Sequence, residues 1–305
     1  MPIIDQTSES SESRVAVPVS PAPAPTAAAI DEANEFHKLT KRSSQFMGGA
    51  IFVFLLGFLS FPILARIFSV EEYGLISLVS NTIAVAVVFS KFGLQTAVQR
   101  FFKEHAVSPE PGALRKYYST VYLSSAGNGL IATALFLLAV WLVPASLLSP
   151  RLRVLFAYAA SLILLRSVTA MITNLLQVEG RTFAFNLLQI STKAATIAVT
   201  LILLLTWSRT PVTFFIGVVM VEAVAVLLAI PYLLHRKMLA VSVFSVKTFR
   251  EIMVFGFPMM GAEIFYLLLD TGDRFLVQGY LGARQLGFYA AAYNISGYIR
   301  DSLSS

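Results

Sequence analysis

Between Ser44 and Ile299 the chain returns eight times to apolar stretches long enough to cross a bilayer, with short loops between them where Arg and Lys collect. A hydrocarbon core about 30 Å thick takes about 20 residues of helix at about 1.5 Å each. No water inside lipid satisfies backbone N–H and C=O groups, so a lipid-crossing segment without sheet partners has to be helical. The expected fold is an all-α polytopic membrane protein. Composition agrees: 56% of residues are hydrophobic and 13% charged, against about a quarter charged in soluble domains. The loops leave no room for a soluble catalytic domain.

The spans read Ser44 to Ala65, Tyr73 to Gln99, a third within Tyr117 to Leu148, Val154 to Val178, Thr182 to Trp207, Thr210 to Leu234, Ile252 to Val277, and Leu286 to Ile299. They divide the chain into four parts: a tail over 1–37, a first bundle of six helices over 38–234, a linker over 235–251, and the first hairpin of a second bundle over 252–305. The stretch Met1 to Glu35 is rich in Ser, Pro and Ala, with too few large apolar side chains to offset the entropy of ordering, and reads as disordered. It has no basic start leading into an apolar core, so the first span is expected to serve as the insertion signal.

A formal charge of +6 would suit nucleic acid if it lay on one soluble face, but here it is spread between spans and reports topology. With the N-terminus inside, thirteen basic residues are cytoplasmic: Arg14, Lys38, Lys41, Arg42, Arg100, Lys103, Arg115, Lys116, Arg181, Arg236, Lys237, Lys247 and Arg250. Only Arg66, Arg151, Arg153, Arg209 and Arg284 fall outside. The bias predicts a multi-pass protein with a cytoplasmic N-terminus. Zero cysteines exclude disulfides and thiolate chemistry. His37, His105 and His235 are too scattered for a metal site, so no metal or cofactor is expected.

The chain also repeats itself. A gapless shift of 213 positions aligns Met47 with Met260, Gly48 with Gly261, Ile51 with Ile264, Phe52 with Phe265, Leu55 with Leu268, Leu56 with Leu269, Gly74 with Gly287 and Asn81 with Asn294. Six spans separate the copies, so both point the same way. That predicts a parallel repeat about an axis normal to the membrane, an architecture of transporters.

The run from Phe61 through Pro62, Ala65, Arg66 and Glu71 to Tyr73 and Gly74 resembles the first hairpin of the polysaccharide-export flippases, the O-antigen and teichuronic acid translocases of the MOP superfamily. Phe255-Gly256-Phe257-Pro258, Asp273-Arg274-Phe275 and Gly287-Phe288-Tyr289-Ala290-Ala291-Ala292-Tyr293 resemble the same family's seventh and eighth spans. The resemblance runs from Lys41 to the end. It implies two six-helix bundles around a central cavity, a polyprenyl-pyrophosphate-linked sugar as substrate, a bacterial inner-membrane location, and polymerase and assembly proteins as partners. Against that pattern the chain lacks about four to six helices, and is expected to be an N-terminal portion.

Charge inside the spans is the candidate site. Lys91, Arg166, Lys193, Glu222 and Glu263 would together cost on the order of 10 to 15 kcal/mol if they faced lipid, so they are expected to face protein or water. In the first bundle Lys91, Arg166 and Lys193 oppose Glu222 alone, an excess of positive charge suited to a pyrophosphate headgroup. The competing reading is that Arg166 or Lys193 merely pairs with Glu222 to lock helices, and that Lys91 snorkels to the interface. Glu222, Glu263, Asp270, Asp273 and Arg274 are coupling or gating candidates. Asp270 and Arg274 are four apart and share a face, as do Glu263 and Asp270, seven apart. Pro62, Gly256 and Pro258 are candidate kinks. Tyr117, Tyr118, Trp141, Trp207 and Tyr232 are expected in interfacial belts.

Three functions compete: a flippase for lipid-linked oligosaccharide or polysaccharide precursor working by alternating access; a cation-coupled multidrug antiporter of the same superfamily, which calls for an acidic cavity; and a membrane-embedded glycosyltransferase or polymerase. Asp270-Thr271-Gly272-Asp273 imitates a magnesium pair, but Arg274 adjoins it and no second acidic motif faces it. The first reading is preferred, with no enzyme activity.

Overall fold

The computed structural model describes residues 27–144, 146, 148–236 and 238–304. Most of the expected tail lies outside these residues, and a helix is already formed from Ala27. The chain divides into Met1–Lys41 and Arg42–Ser305, and the second unit holds every candidate site residue. Its secondary structure, among the described residues, is helical throughout: α1 (Ala27–Ile67, of which this unit holds the part from Arg42), α2 (Val70–Lys91), α3 (Leu94–Ala106), α4 (Ala113–Leu142), α5 (Pro150–Ala159), α6 (Ser161–Val178), α7 (Thr182–Thr206), α8 (Pro211–His235), a 3-10 turn (Val241–Val243) and α9 (Val246–Ser304).

Local chemistry sets the helix ends. Ser69 and Glu72 cap α2 reciprocally, the Glu72 amide donating to the Ser69 hydroxyl at 3.3 Å and the Ser69 amide to the Glu72 carboxylate at 3.1 Å. Pro150 and Pro211 open their helices behind Ser149 and Thr210 caps, where a missing N–H costs nothing. The second span, read from sequence as one helix, breaks into α2 and α3 at Phe92 and Gly93, both left-handed at φ 48° and 65°. Gly93 abuts the backbone of Gly256, where a side chain on either would collide.

Seven helical segments are long and apolar enough to cross a membrane among the described residues. The last, Val246–Tyr293, contains the expected seventh span and the first part of the eighth. Tyr293 lies 23 residues after Asp270, a separation of about 35 Å along a straight helix. Yet its hydroxyl donates to the Asp270 backbone carbonyl at 3.1 Å. The chain doubles back at Gly282, whose φ of 83° and ψ of 176° are open to glycine and costly for other residues. Residues 246–281 and 283–304 are thus the expected seventh and eighth spans. Pro62 and Pro258 lie inside α1 and α9, and the non-helical residue within α9 is Gly282 rather than either the proline or Gly256.

Two buried apolar clusters occupy opposite ends of the bundle. One gathers Leu75, Val79, Ile83, Val140, Leu155, Ile163, Leu204 and Phe215, the other Leu94, Val98, Val121, Met171, Leu175, Leu233 and Ile252. Outward faces are apolar too: Leu59, Leu135 and Leu228 are exposed, as lipid contact requires. Trp141 and Trp207 are exposed as expected, but Tyr117 and Tyr118 are not belt residues. Tyr117 is fully buried and donates to the Val98 carbonyl at 2.9 Å, while Tyr118 is buried and donates to Glu179.

α2 runs antiparallel to the first limb of α9: Asn81 meets Arg274, Lys91 meets Glu263, and Gly93 meets Gly256. Near the start of α2 Gly74 lies against the Ala283 carbonyl and Gly287 against the Val70 carbonyl. Val70 and Ala283, like Gly74 and Gly287, are related by the 213-residue shift. The contact is therefore reciprocal, as a local two-fold axis makes it, and the sequence repeat packs copy against copy.

Candidate functional site

Arg166, Glu222 and Lys193 stand at the level between the two apolar clusters. On α6, Arg166 falls between Ile163 of one cluster and Met171 of the other; on α8, Glu222 falls between Val218 and Leu233. The Arg166 guanidinium pairs with the Glu222 carboxylate at 3.7 Å, and Thr169 donates to the same carboxylate at 3.5 Å. Glu222 is closed in at 14% exposure, whereas Arg166 keeps 36% of its side chain accessible. The pair is anchored on the acidic side and open on the basic side.

Lys193, on α7, lies within electrostatic reach of Arg166, and among the described residues no carboxylate comes within 4.0 Å of its ammonium. It lines a narrow crevice of about 90 Å³ with Ser60, Thr196, Thr200 and Phe214. The Thr200 hydroxyl there is buried without a hydrogen-bond partner. Gly217 permits this approach of α7 to α8, since a Cβ at that position would stand 2.9 Å from the Thr200 oxygen. Two cations against one carboxylate leave a single formal positive charge at the middle of the bundle.

Lys91 does not join them. Its ammonium lies 3.7 Å from Glu263 and donates to Gln95 at 3.1 Å, so it bridges the first bundle to α9. This takes both Lys91 and Glu263 into one contact, and narrows the positive excess to Arg166 and Lys193.

The α9 candidates Asp270, Asp273 and Arg274 assemble separately. Arg274 donates to the Asn81 side-chain oxygen at 2.7 Å and lies over the Tyr293 ring at 4.5 Å. Tyr293 donates to the Asp270 carboxylate at 3.1 Å, and Tyr289 donates to Asp273. Asp270 and Arg274 therefore share Tyr293 as a common neighbour. Asn81, Tyr289 and Tyr293 are not among the site residues that sequence reasoning selects, although the repeat alignment and the Gly287 to Tyr293 motif both point to them. Among the described residues no group of three or more His, Asp or Glu could hold a metal ion.

Comparison with known proteins places this architecture. A family model described as "Polysaccharide biosynthesis protein" matches residues 39–305, and the chain belongs to that family. No curated protein matches it. A solved structure titled only "protein A" is similar in fold, with a TM-score of 0.63 at 15% identity over 86% of this chain. The chain spans 61% of the length of that structure. Family and spans together define a multi-pass membrane protein of a polysaccharide biosynthesis family.

Proposed function

We propose that this protein moves a polyprenyl-pyrophosphate-linked oligosaccharide or polysaccharide precursor across a bacterial inner membrane by alternating access, with its N-terminus in the cytoplasm. The observation that supports it best is Lys193, a mid-span cation with no carboxylate within 4.0 Å among the described residues, within electrostatic reach of an arginine whose charge is only partly cancelled by Glu222. An excess cation at mid-span is expensive unless water or an anion reaches it, and a pyrophosphate is such an anion. An acidic cavity, which a cationic-drug antiporter calls for, is the opposite of this arrangement.

In the complete transport system, Lys193→Ala should reduce surface polysaccharide while membrane abundance stays near normal. Undiminished export by both Arg166→Ala and Lys193→Ala at matched abundance would sink the assignment. Orientation is tested with single cysteines, since the native count is zero. Impermeant label applied from outside should reach position 149 and spare position 108; the reverse would invert the topology.

A further inference from the structure

α7 opens without a cap. Its 25 residues start after Arg181, no side chain bonds the first-turn amides, and Gly180 ahead of it adopts φ 70°. The amides of Thr182, Phe183 and Ala184 thus have no intrahelical acceptor and present the positive end of the helix dipole. They line a recess of about 400 Å³ together with Gly180, Arg181 and Gln45. Thr182 forms part of this wall at 3% exposure, and its hydroxyl has no hydrogen-bond partner. An uncapped helix start alone would mean little; a buried donor left unmatched in its wall indicates a missing acceptor.

Arg181 also borders a second recess of about 400 Å³, which adds Arg115, Arg236, Tyr118 and Glu179. Arg181 pairs with Glu179 at 3.6 Å and donates to Tyr232, whose ring lies 5.7 Å from both Arg181 and Arg236. Three guanidiniums face one carboxylate, itself held by Tyr118. The level matters as much as the charge. The apolar span of α7 begins at Thr182, and Phe183 beside it is 77% exposed, so the recess sits where headgroups meet acyl chains. The anion available at that level is lipid phosphate.

We propose that the start of α7, with Arg181 and its neighbouring arginines, binds the phosphate of an anionic lipid headgroup. The site lies on the face that the basic bias assigns to the cytoplasm, uses neither Arg166 nor Lys193, and stands whether or not the flippase reading does. First-turn amides and a fork-shaped guanidinium are both suited to a tetrahedral oxyanion.

The full chain, purified in detergent, would be tested by native mass spectrometry with phosphatidylglycerol, phosphatidylcholine, a polyprenyl pyrophosphate and inorganic phosphate in separate arms. Phosphatidylglycerol should be retained about tenfold more than phosphatidylcholine, and Arg181→Gln combined with Thr182→Val should remove about tenfold of that retention. Arg209→Gln, past the far end of α7, should leave it unchanged. Arg115→Gln, on the exposed rim, should lower retention less and serves if the Arg181 variant unfolds. Arg181-dependent retention of the pyrophosphate as well would add the lipid-linked substrate as a source of the phosphate; retention of phosphatidylglycerol alone would assign a resident lipid. Equal retention of both phospholipids, retention indifferent to Arg181 and Arg115, or binding of inorganic phosphate without either lipid would overturn the proposal.

Discussion

In α9, ahead of the Gly282 turn, Arg274 has a carboxamide oxygen and an aromatic face for its charge, and Asp273 and Asp270 each receive a tyrosine hydroxyl. Midway up the first bundle, Arg166 has Glu222 at 3.7 Å, and Lys193 has no carboxylate within pairing distance among the described residues. The Arg274 cluster takes its partners from the protein's own groups, although the Arg274 Nε is buried without one, and it sits near the Gly74 and Gly287 backbone contact. It is built as an assembled joint. The inner cluster ends in an unmatched cation, so it is built to be completed by something else. Groups partnered within the protein lose on disruption, whereas an unmatched cation loses function with little loss of fold.

Steric change at the joint should have the largest effect. Gly74→Val places a branched side chain against the Ala283 carbonyl, which cannot rotate away. A cost of about 3 kcal/mol, the upper end for overpacking, is expected in detergent thermal unfolding. Gly48→Ala is the control, with nothing within 4 Å of the added methyl. Tolerance of Gly74→Val equal to that control would show that the copies do not close there.

Arg166→Ala comes next. Breaking a buried ion pair on one side costs about 3–5 kcal/mol, and the 36% exposure of Arg166 reduces this to about 2 kcal/mol. Membrane abundance should fall and be partly restored by Glu222→Gln, while Lys193→Ala lowers export without lowering abundance. Equal loss of abundance in the two alanine variants would erase the distinction between a paired and an unmatched cation.

The spans are legible in the sequence because the length of an apolar run is a local property, and the repeat because its copies share positions such as Gly74 and Gly287. The break at Phe92 is not, since phenylalanine gives no sign of a left-handed residue; Gly93 is the only cue. Tyr117 and Tyr118 are misplaced by sequence for another reason. Their position near a span end shows depth, but which way a residue faces on a helix apolar on all sides depends on its neighbours. The same ignorance of neighbours hides the Lys91 contact with Glu263, while the Arg166 pairing with Glu222 is one of the arrangements the sequence allows. Charge in a span shows that a partner or water is needed, and the fold decides which.

Asn81→Ala should cost less than the Arg166 change. It removes one acceptor from a charged donor at 2.7 Å, worth about 1.5 kcal/mol, while Tyr293 remains against the guanidinium. Unfolding in detergent should shift accordingly, with export reduced in proportion to abundance. A collapse of export at normal abundance would instead make the Arg274 cluster part of the substrate path.

The smallest effect is expected at Lys91 and Glu263, and it tests the comparison most sharply because distance is held constant. This pair and the Arg166 pair are both 3.7 Å long, so a difference between them must come from surroundings. Lys91 already donates to Gln95 at 3.1 Å, and the Glu263 oxygen nearest to it is buried without a hydrogen bond. Part of the attraction is therefore offset by desolvation that no donor repairs at the Glu263 oxygen facing Lys91. A double-mutant cycle of Lys91→Gln and Glu263→Gln, read by thermal unfolding, should give a coupling below about 1 kcal/mol. The cycle of Arg166→Gln with Glu222→Gln should exceed it, because Thr169 fixes the carboxylate. Coupling at Lys91 as large as at Arg166 would mean that the copies are held together by charge as well as by glycine packing, and the division between an assembled joint and an open cation would fail.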